Sequence, residues 1–128
     1  MGHWVVKTEP STYSYDDLAR EGTTVWDGVK NPVAAKHLRA MQPGDDVLVY
    51  HTGDEKRIVG LAKVVAQDEK LGLPKLKAVR PIPRPVTLAE IKADKMFADL
   101  GLVRQGRLSV VPVPAPQFQK LLKMSGAA

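Results

Sequence analysis

The sequence contains no cysteine among its 128 residues. Disulfide bridges, thiolate metal sites and thiol nucleophiles are therefore excluded, and any chemistry must come from other side chains. Aromatic residues are also scarce, since only two Trp, three Tyr and two Phe occur. The three histidines, His3, His37 and His51, lack the spacing of metal ligands, so the sequence predicts neither a metal site nor a cofactor.

Several classes of protein lack their sequence signatures here. No apolar run approaches the roughly 20 residues of a membrane-spanning helix, and the start of the chain lacks the pattern of a signal peptide. Phosphate-binding loops, dinucleotide-binding glycine motifs, serine-hydrolase elbows and zinc-protease motifs are absent as well. We therefore expect a cytoplasmic, monomeric protein with no membrane partner.

Length and charge define the chain further. Residues 1–128 fit a single domain, with residues 125–128 expected to form a tail. Residues 1–55 carry five Lys or Arg against nine Asp or Glu, whereas residues 56–128 carry fourteen against five. Such a concentration of positive charge favours a phosphate-bearing partner through counterion release, although basic surfaces also serve solubility alone.

Helix signals occur at four places. Ser14 is predicted to cap a helix over residues 15–21, and Asn31 followed by Pro32 is predicted to cap a second one. Thr87, with Glu90 three residues later, forms a capping box before a third helix. A C-terminal helix is expected to bury an apolar face. The second helix should bury one stripe, formed by Val33, Ala34, Leu38 and Met41.

Strand signals lie between these helices. Apolar or alternating runs predict strands near residues 4–7, 46–51, 58–66, 76–82 and 107–113. About five strands mixed with short helices, without a regular strand–helix–strand order, predict an α+β fold with a curled sheet or a small barrel.

Two polar stretches interrupt these elements and raise the question of function. The first is WVVKTEP, residues 4–10, where a strand runs into charged residues before a proline. The second is VWDGVKN, residues 25–31, which contains one of the two tryptophans beside Asp, Gly and Asn. They are followed in order by A-x-x-L-R-A-M-x-x-G-D, V-Y-H-T, I-V-G-L-A-K-V and R-L-S-V.

In these motifs and their order, the sequence resembles the EVE domain family from Trp4 to about Leu122. The resemblance implies a PUA-like fold, a small mixed β-barrel of five to six strands flanked by short helices and related to the YTH and ASCH domains. It also implies a non-catalytic module that binds a modified base in DNA or RNA.

The resemblance further implies which residues hold the base. An aromatic plane contributes about 1 to 3 kcal/mol per stacked base, and we expect Trp26 to supply that plane as an open ring at the mouth of the sheet. Gly28 would let the chain turn beside it, and the Asn31 amide would contact a base edge. Carried over by motif, the remaining ligand-binding residues are Lys7, Thr8, Tyr50, His51 and Thr52.

Structural alternatives exist for several of these residues. Trp4 is expected in the core, Asn31 can serve only as a helix cap, and His51 can be an ordinary polar residue. Successive strand residues point to opposite faces, so Lys7, Thr8 and Glu9 cannot share one pocket unless the backbone bends before Pro10. The tyrosines near the first helix are expected to pack and are not assigned to the site.

The chain departs from the family where a second aromatic wall is expected. Residues 72–76 contain no aromatic, which predicts a one-sided stack closed by Leu73 or Leu76. Contacts to the nucleic-acid backbone would then matter more. The candidates are Lys75, Lys77, Arg80, Arg84, Arg104 and Arg107.

Two other functions are carried forward. Some ASCH-type relatives are amidohydrolases of modified nucleosides that use Lys, Thr and Glu, and Lys7, Thr8 and Glu9 offer those residue types. A hydroxyl nucleophile needs a base within about 2.6 to 3.2 Å, and adjacent strand residues are badly placed for this. The third possibility is a general RNA-binding module that uses the basic second half without the pocket.

Overall fold

The computed structural model describes residues 2–127, which form one mixed sheet, five α-helices and a short 3₁₀ turn. The elements in chain order are β1 (His3–Thr8), α1 (Tyr15–Glu21), β2 (Thr23–Val25), α2 (Pro32–Ala40), β3 (Asp46–His51), β4 (Arg57–Asp68), β5 (Leu73–Thr87), α3 (Leu88–Ala93), the 3₁₀ turn (Lys95–Phe97), α4 (Gly101–Arg104), β6 (Val110–Pro112) and α5 (Ala115–Met124).

The six strands lie in the order β2-β5-β4-β3-β1-β6. β1 and β3 are parallel, and every other neighbouring pair is antiparallel. Val5 and Val6 point to opposite faces of β1 and both are 0% exposed, so the centre of the sheet is covered on both sides. The predicted α+β fold is confirmed.

The sheet is not closed into a barrel, because β2 and β6 remain its two edges, so of the two predicted alternatives the curled sheet fits. β2 is only three residues long, and β6, equally short, contains Pro112, which has no backbone N–H to donate. Two short edges of this kind offer too few backbone groups to continue the ladder.

The predicted helix caps are formed. The Ser14 side chain accepts from the Asp17 N–H at 3.1 Å, and the Asp17 carboxylate accepts from the Ser14 N–H at 2.8 Å. Thr87 and Glu90 form the same reciprocal pair at the start of α3. On α2 the predicted apolar stripe is wrong at Val33, which is 52% exposed, whereas Ala34, Leu38 and Met41 are buried.

β5 is longer than predicted and contains four prolines, three of which follow Lys77. β2 pairs with β5 only from Lys75 to Lys77, so beyond that point β5 is an edge strand, where a missing N–H is tolerated. β2, the 3₁₀ turn and α4 have no predicted counterpart.

The described part of the predicted tail is packed against β5. Ser125 is 1% exposed, and its carbonyl accepts from the Arg84 N–H at 3.0 Å. The Arg80 guanidinium donates to the Ala127 carbonyl at 2.6 Å. Ala128 lies outside the described residues. No helix within residues 2–127 has the length and apolar character needed to cross a membrane.

Candidate functional site

A cavity of about 550 Å³ lies where the two ends of the sheet approach each other. Its walls come from the end of β1 and the following turn, from β2 and its following loop, and from Ser109 just before β6. Because β2 and β6 are opposite edges of the sheet, a cavity lined from both sides requires the sheet to curl until its ends face across a gap. We call this gap the seam. Its volume is typical of small-ligand pockets.

Trp26 lies in the wall of the seam cavity, but it is not the open ring that the sequence predicts. It is 7% exposed and belongs to the hydrophobic core, and its backbone N–H donates to the Pro74 carbonyl at 2.9 Å. Within residues 2–127 the indole N–H has no protein acceptor, yet it is not sealed from solvent. The hydrophobic core therefore holds most of the Trp26 ring. What remains accessible from the cavity is a small part of the ring with its indole N–H donor.

Tyr13 forms the second aromatic wall, which sequence reasoning missed. Its ring meets the Trp26 ring edge to face, with centroids 6.0 Å apart and planes at 80°. The Tyr13 hydroxyl donates to Glu21 Oε2 at 2.8 Å. Burial, with that hydrogen bond second, raises the pKa of Tyr13 to about 12, so the hydroxyl stays protonated. Leu73 and Leu76, expected to close the pocket, do not line it, and Leu76 is 0% exposed.

Lys7, Thr8 and Glu9 all line the seam cavity, and the chain turns directly after them. The N–H groups of Thr12 and Tyr13 both donate to the Glu9 carbonyl at 2.9 Å, which closes that turn. The sequence-based prediction required a bend before Pro10, and the observed turn covers residues 10–12.

The polar atoms of these three residues already have partners. Lys7 Nζ donates to the Gly106 carbonyl at 2.9 Å and lies 5.6 Å from the centroid of the Tyr50 ring, and burial lowers the pKa of Lys7. The Thr8 hydroxyl donates to the Tyr13 carbonyl at 2.6 Å. Hydrogen bonds, above all from the Ser11 backbone, lower the pKa of Glu9, which remains an exposed anion at the rim.

Of the other predicted ligand residues, Gly28 lines the cavity, with a positive φ of 76°. Asn31 does not, because its Oδ1 accepts from the N–H groups of Val33 and Ala34 at 2.9 and 3.1 Å as the cap of α2.

Tyr50, His51 and Thr52 also lie away from the cavity lining. Tyr50 is 4% exposed in the core. His51 Nε2 accepts from the Tyr15 N–H at 3.0 Å, so Nδ1 carries the proton and donates to Glu55 at 3.0 Å. Thr52 donates to Glu9 at 3.3 Å. None of the three residues lines the cavity: Tyr50 is held in the core, and the side chains of His51 and Thr52 bond protein partners.

The six cations predicted to contact a nucleic-acid backbone divide into two groups. Arg84 bonds Glu90 at 2.7 Å and Arg104 bonds Asp99 at 3.2 Å, while Arg80 bonds the C-terminal segment. Lys75, Lys77 and Arg107 form no ion pair within residues 2–127. Lys75 lies directly opposite Val25 of the seam cavity, and Arg107 lies two residues before Ser109.

A second cavity, of about 840 Å³, lies near the other end of β1. Trp4 is in its wall but is 9% exposed, and its indole N–H donates to Asp45 Oδ2 at 3.0 Å, which agrees with its predicted place in the core. Asp99 and Arg104 bond each other at its edge.

The sequence profile of the EVE domain matches residues 2–124. The chain belongs to the EVE domain family. Human thymocyte nuclear protein 1 is 38% identical to it over 77 residues, a match that covers 51% of this chain and 34% of the human protein. The zebrafish (Danio rerio) protein of the same name is 27% identical over 94% of this chain and 71% of its own length. The match with this chain therefore spans about a third of the human relative's length.

Solved structures agree with the PUA-like fold. The NMR structure of a Rhodopseudomonas palustris protein has a TM-score of 0.87 and 37% identity, covering 98% of this chain and 94% of that one. Human thymocyte nuclear protein 1 in complex with 5-methylcytosine containing DNA has a TM-score of 0.87 and 26% identity, covering 98% of both chains. An ASCH protein from Zymomonas mobilis shares the fold alone, with a TM-score of 0.59 and 15% identity over 94% of both chains.

Proposed function

We propose that this EVE domain binds a single modified base of a nucleic acid, of the 5-methylated cytosine class, in the seam cavity. The observation that carries the proposal is the edge-to-face pair of Tyr13 and Trp26 in the cavity wall. A flat base can lie against one ring and meet the edge of the other. The human relative's complex with 5-methylcytosine containing DNA supports this choice of base.

The energetics fit an extruded base. Flipping a base from a duplex costs a few kcal/mol, and aromatic contact returns about 1 to 3 kcal/mol. A methyl group buried against Trp26 adds about 0.8 kcal/mol, a preference of about fourfold over the unmodified base. Asp27, which also lines the cavity and is exposed, would accept from the exocyclic amine of cytosine, the usual partner of a carboxylate.

We propose binding without catalysis. The Thr8 hydroxyl already donates to a carbonyl and Lys7 Nζ to another, so neither is arranged as a nucleophile with its base. The hydrolase alternative is tested by incubating the protein with N4-acetylcytidine. Acetate release that Thr8→Val abolishes would overturn the binding-only proposal.

The experiment for base binding is titration of oligonucleotides that carry one 5-methylcytosine or one cytosine at the same position. We expect a preference of about fourfold or more for the methylated strand, lost in Trp26→Ala and partly kept in Trp26→Phe. Trp4→Phe, which removes the other indole, is the matched control and should keep the preference. Equal affinity for both strands, or a preference that survives in folded Trp26→Ala, would leave only a general nucleic-acid module.

We also propose that the domain acts as a monomer and that it acts in the cytoplasm. The curated relatives carry a nuclear name. Light scattering of the purified protein and fractionation of cells that express it test these two points.

A further inference from the structure

The hairpin of β4 and β5 buries one face and exposes the other. Lys63 on β4 and Lys77 on β5 are directly opposed on the exposed face. Lys75 lies two residues before Lys77 and therefore on the same face. We call Lys63, Lys75 and Lys77 the lysine row.

The fold itself gains little from this arrangement. Like charges directly opposite each other on neighbouring strands destabilise a sheet. Lys63 lies 3.7 Å from Asp46, but the other neighbour of Lys77 is Thr23, and neither Lys75 nor Lys77 forms an ion pair within residues 2–127. Lys75 and Lys77 therefore carry positive charge that no ion pair within residues 2–127 balances, which favours an anionic partner.

The lysine row leads to the seam cavity. Lys75 pairs with Val25, which lines the cavity and directly precedes Trp26. Lys77 lies about 6.6 Å further along β5 by strand geometry, and Lys63 is one strand further away. Arg80 and Arg84 of the same strand instead bond the C-terminal segment and Glu90.

We propose that the lysine row binds the phosphates of the nucleic-acid strand whose modified base occupies the seam cavity. The inference rests on the proposed function for its choice of ligand. It adds the direction of the strand, which crosses the β2 edge and follows the exposed face of β5 and β4. Lys63, to which the sequence-based prediction assigned no contact, belongs to this surface.

The test compares Lys63→Gln/Lys77→Gln with a control, Lys92→Gln/Lys123→Gln, which removes two exposed lysines from α3 and α5. DNA duplexes with one 5-methylcytosine or one cytosine are titrated at several salt concentrations. Each lost phosphate contact should reduce the slope of log affinity against log salt by about 0.9. We expect a reduction of about 1.8 for the lysine-row variant on both duplexes, a methyl preference equal to that of the wild type, and no change for the control.

If the lysine-row variant keeps the wild-type slope of log affinity against log salt, or if the control variant shows an equal reduction, the lysine row does not bind the phosphates. If the wild type shows no preference for the methylated duplex, the proposed function is wrong. The slope of log affinity against log salt on the cytosine duplex still decides whether the lysine row binds phosphates. Thermal unfolding verifies the fold, and the lysine-row variant should melt no lower than the wild type because the Lys63–Lys77 repulsion is removed.

Discussion

The rings of Tyr13 and Trp26 stand nearly perpendicular, with centroids 6.0 Å apart, in the wall of one cavity. Tyr13 lies in the loop between β1 and α1, and Trp26 lies in the loop after β2. The contact between their rings therefore connects these two loops at the seam. The hydrogen bond from the Tyr13 hydroxyl to Glu21 fixes one ring, and the core fixes the other. The site is therefore organised before any ligand arrives, which lowers the entropic cost of binding.

The Tyr13 ring should contribute to base affinity. Tyr13→Leu is expected to weaken binding of the 5-methylcytosine strand by about 1 kcal/mol, roughly fivefold, because an aromatic edge contact is lost. Tyr13→Phe keeps the ring and should bind nearly as the wild type does. Calorimetric titration measures both. Equal affinities for Tyr13→Leu and wild type would remove Tyr13 from the site.

Asp27 should select the base that carries an exocyclic amine. Asp27→Asn is expected to weaken binding of a 5-methylcytosine strand by about 1 to 3 kcal/mol, with a much smaller effect on a thymine strand, which presents a carbonyl at that position. Competition between the two strands measures this difference. A loss of the same size for both strands would show that Asp27 does not contact the amine.

Asn31 should matter for stability and not for binding. Asn31→Ala removes the cap of α2 and should lower the free energy of unfolding by about 1 kcal/mol. Asn31→Asp keeps an acceptor at the cap and serves as the control. Urea unfolding gives the stability, and titration of the folded protein gives the affinity. A large loss of affinity in folded Asn31→Ala that neither the Asn31→Asp variant nor a lower temperature restores would show that Asn31 contacts the ligand.

Asp45 should make stability depend on pH. Burial alone would raise the pKa of Asp45, but the N–H groups of Gln42 and Gly2 and the Trp4 indole N–H hold it below its usual value. The carboxylate therefore stabilises the fold above a pH of about 3.9, its ordinary pKa, and this stabilisation is lost as the pH falls through the folded-state pKa.

Asp45→Asn should accordingly cost about 1 to 3 kcal/mol at neutral pH and progressively less in acid. Asp46→Asn, at a half-exposed neighbour whose ion pair is weak, should cost less than about 1 kcal/mol at any pH. Denaturant unfolding across the pH range compares the two. A constant cost for Asp45→Asn down to strongly acidic pH would contradict this role.

Local chemistry explains what the sequence predicted well. Ser14, Asn31 and Thr87 cap helices through contacts with residues two or three positions away, and such contacts can be recognised without the fold. The order of the motifs identified the family, and membership of the family implies the fold. Lys7, Thr8, Trp26 and Gly28 line one cavity as the resemblance implies.

Long-range geometry explains the errors. The seam exists because two edges distant in the strand order curl together; the sequence predicted a curled sheet, but no periodicity records which residues meet across the gap. Tyr13 becomes a wall only because the turn after β1 carries it to Trp26. His51 has the residue type of a ligand, but its two nitrogens are occupied by Tyr15 and Glu55, partners 36 and four residues away.

The most direct test of the account is the site of the methyl group in the complex. Nuclear Overhauser contacts should be measured between the protein and the 5-methyl protons of a single 5-methylcytosine in a bound oligonucleotide. The account predicts contacts from this methyl group to the ring protons of Trp26 and Tyr13. Contacts to the Trp4 and His37 rings of the second cavity, with none to Trp26, would contradict it.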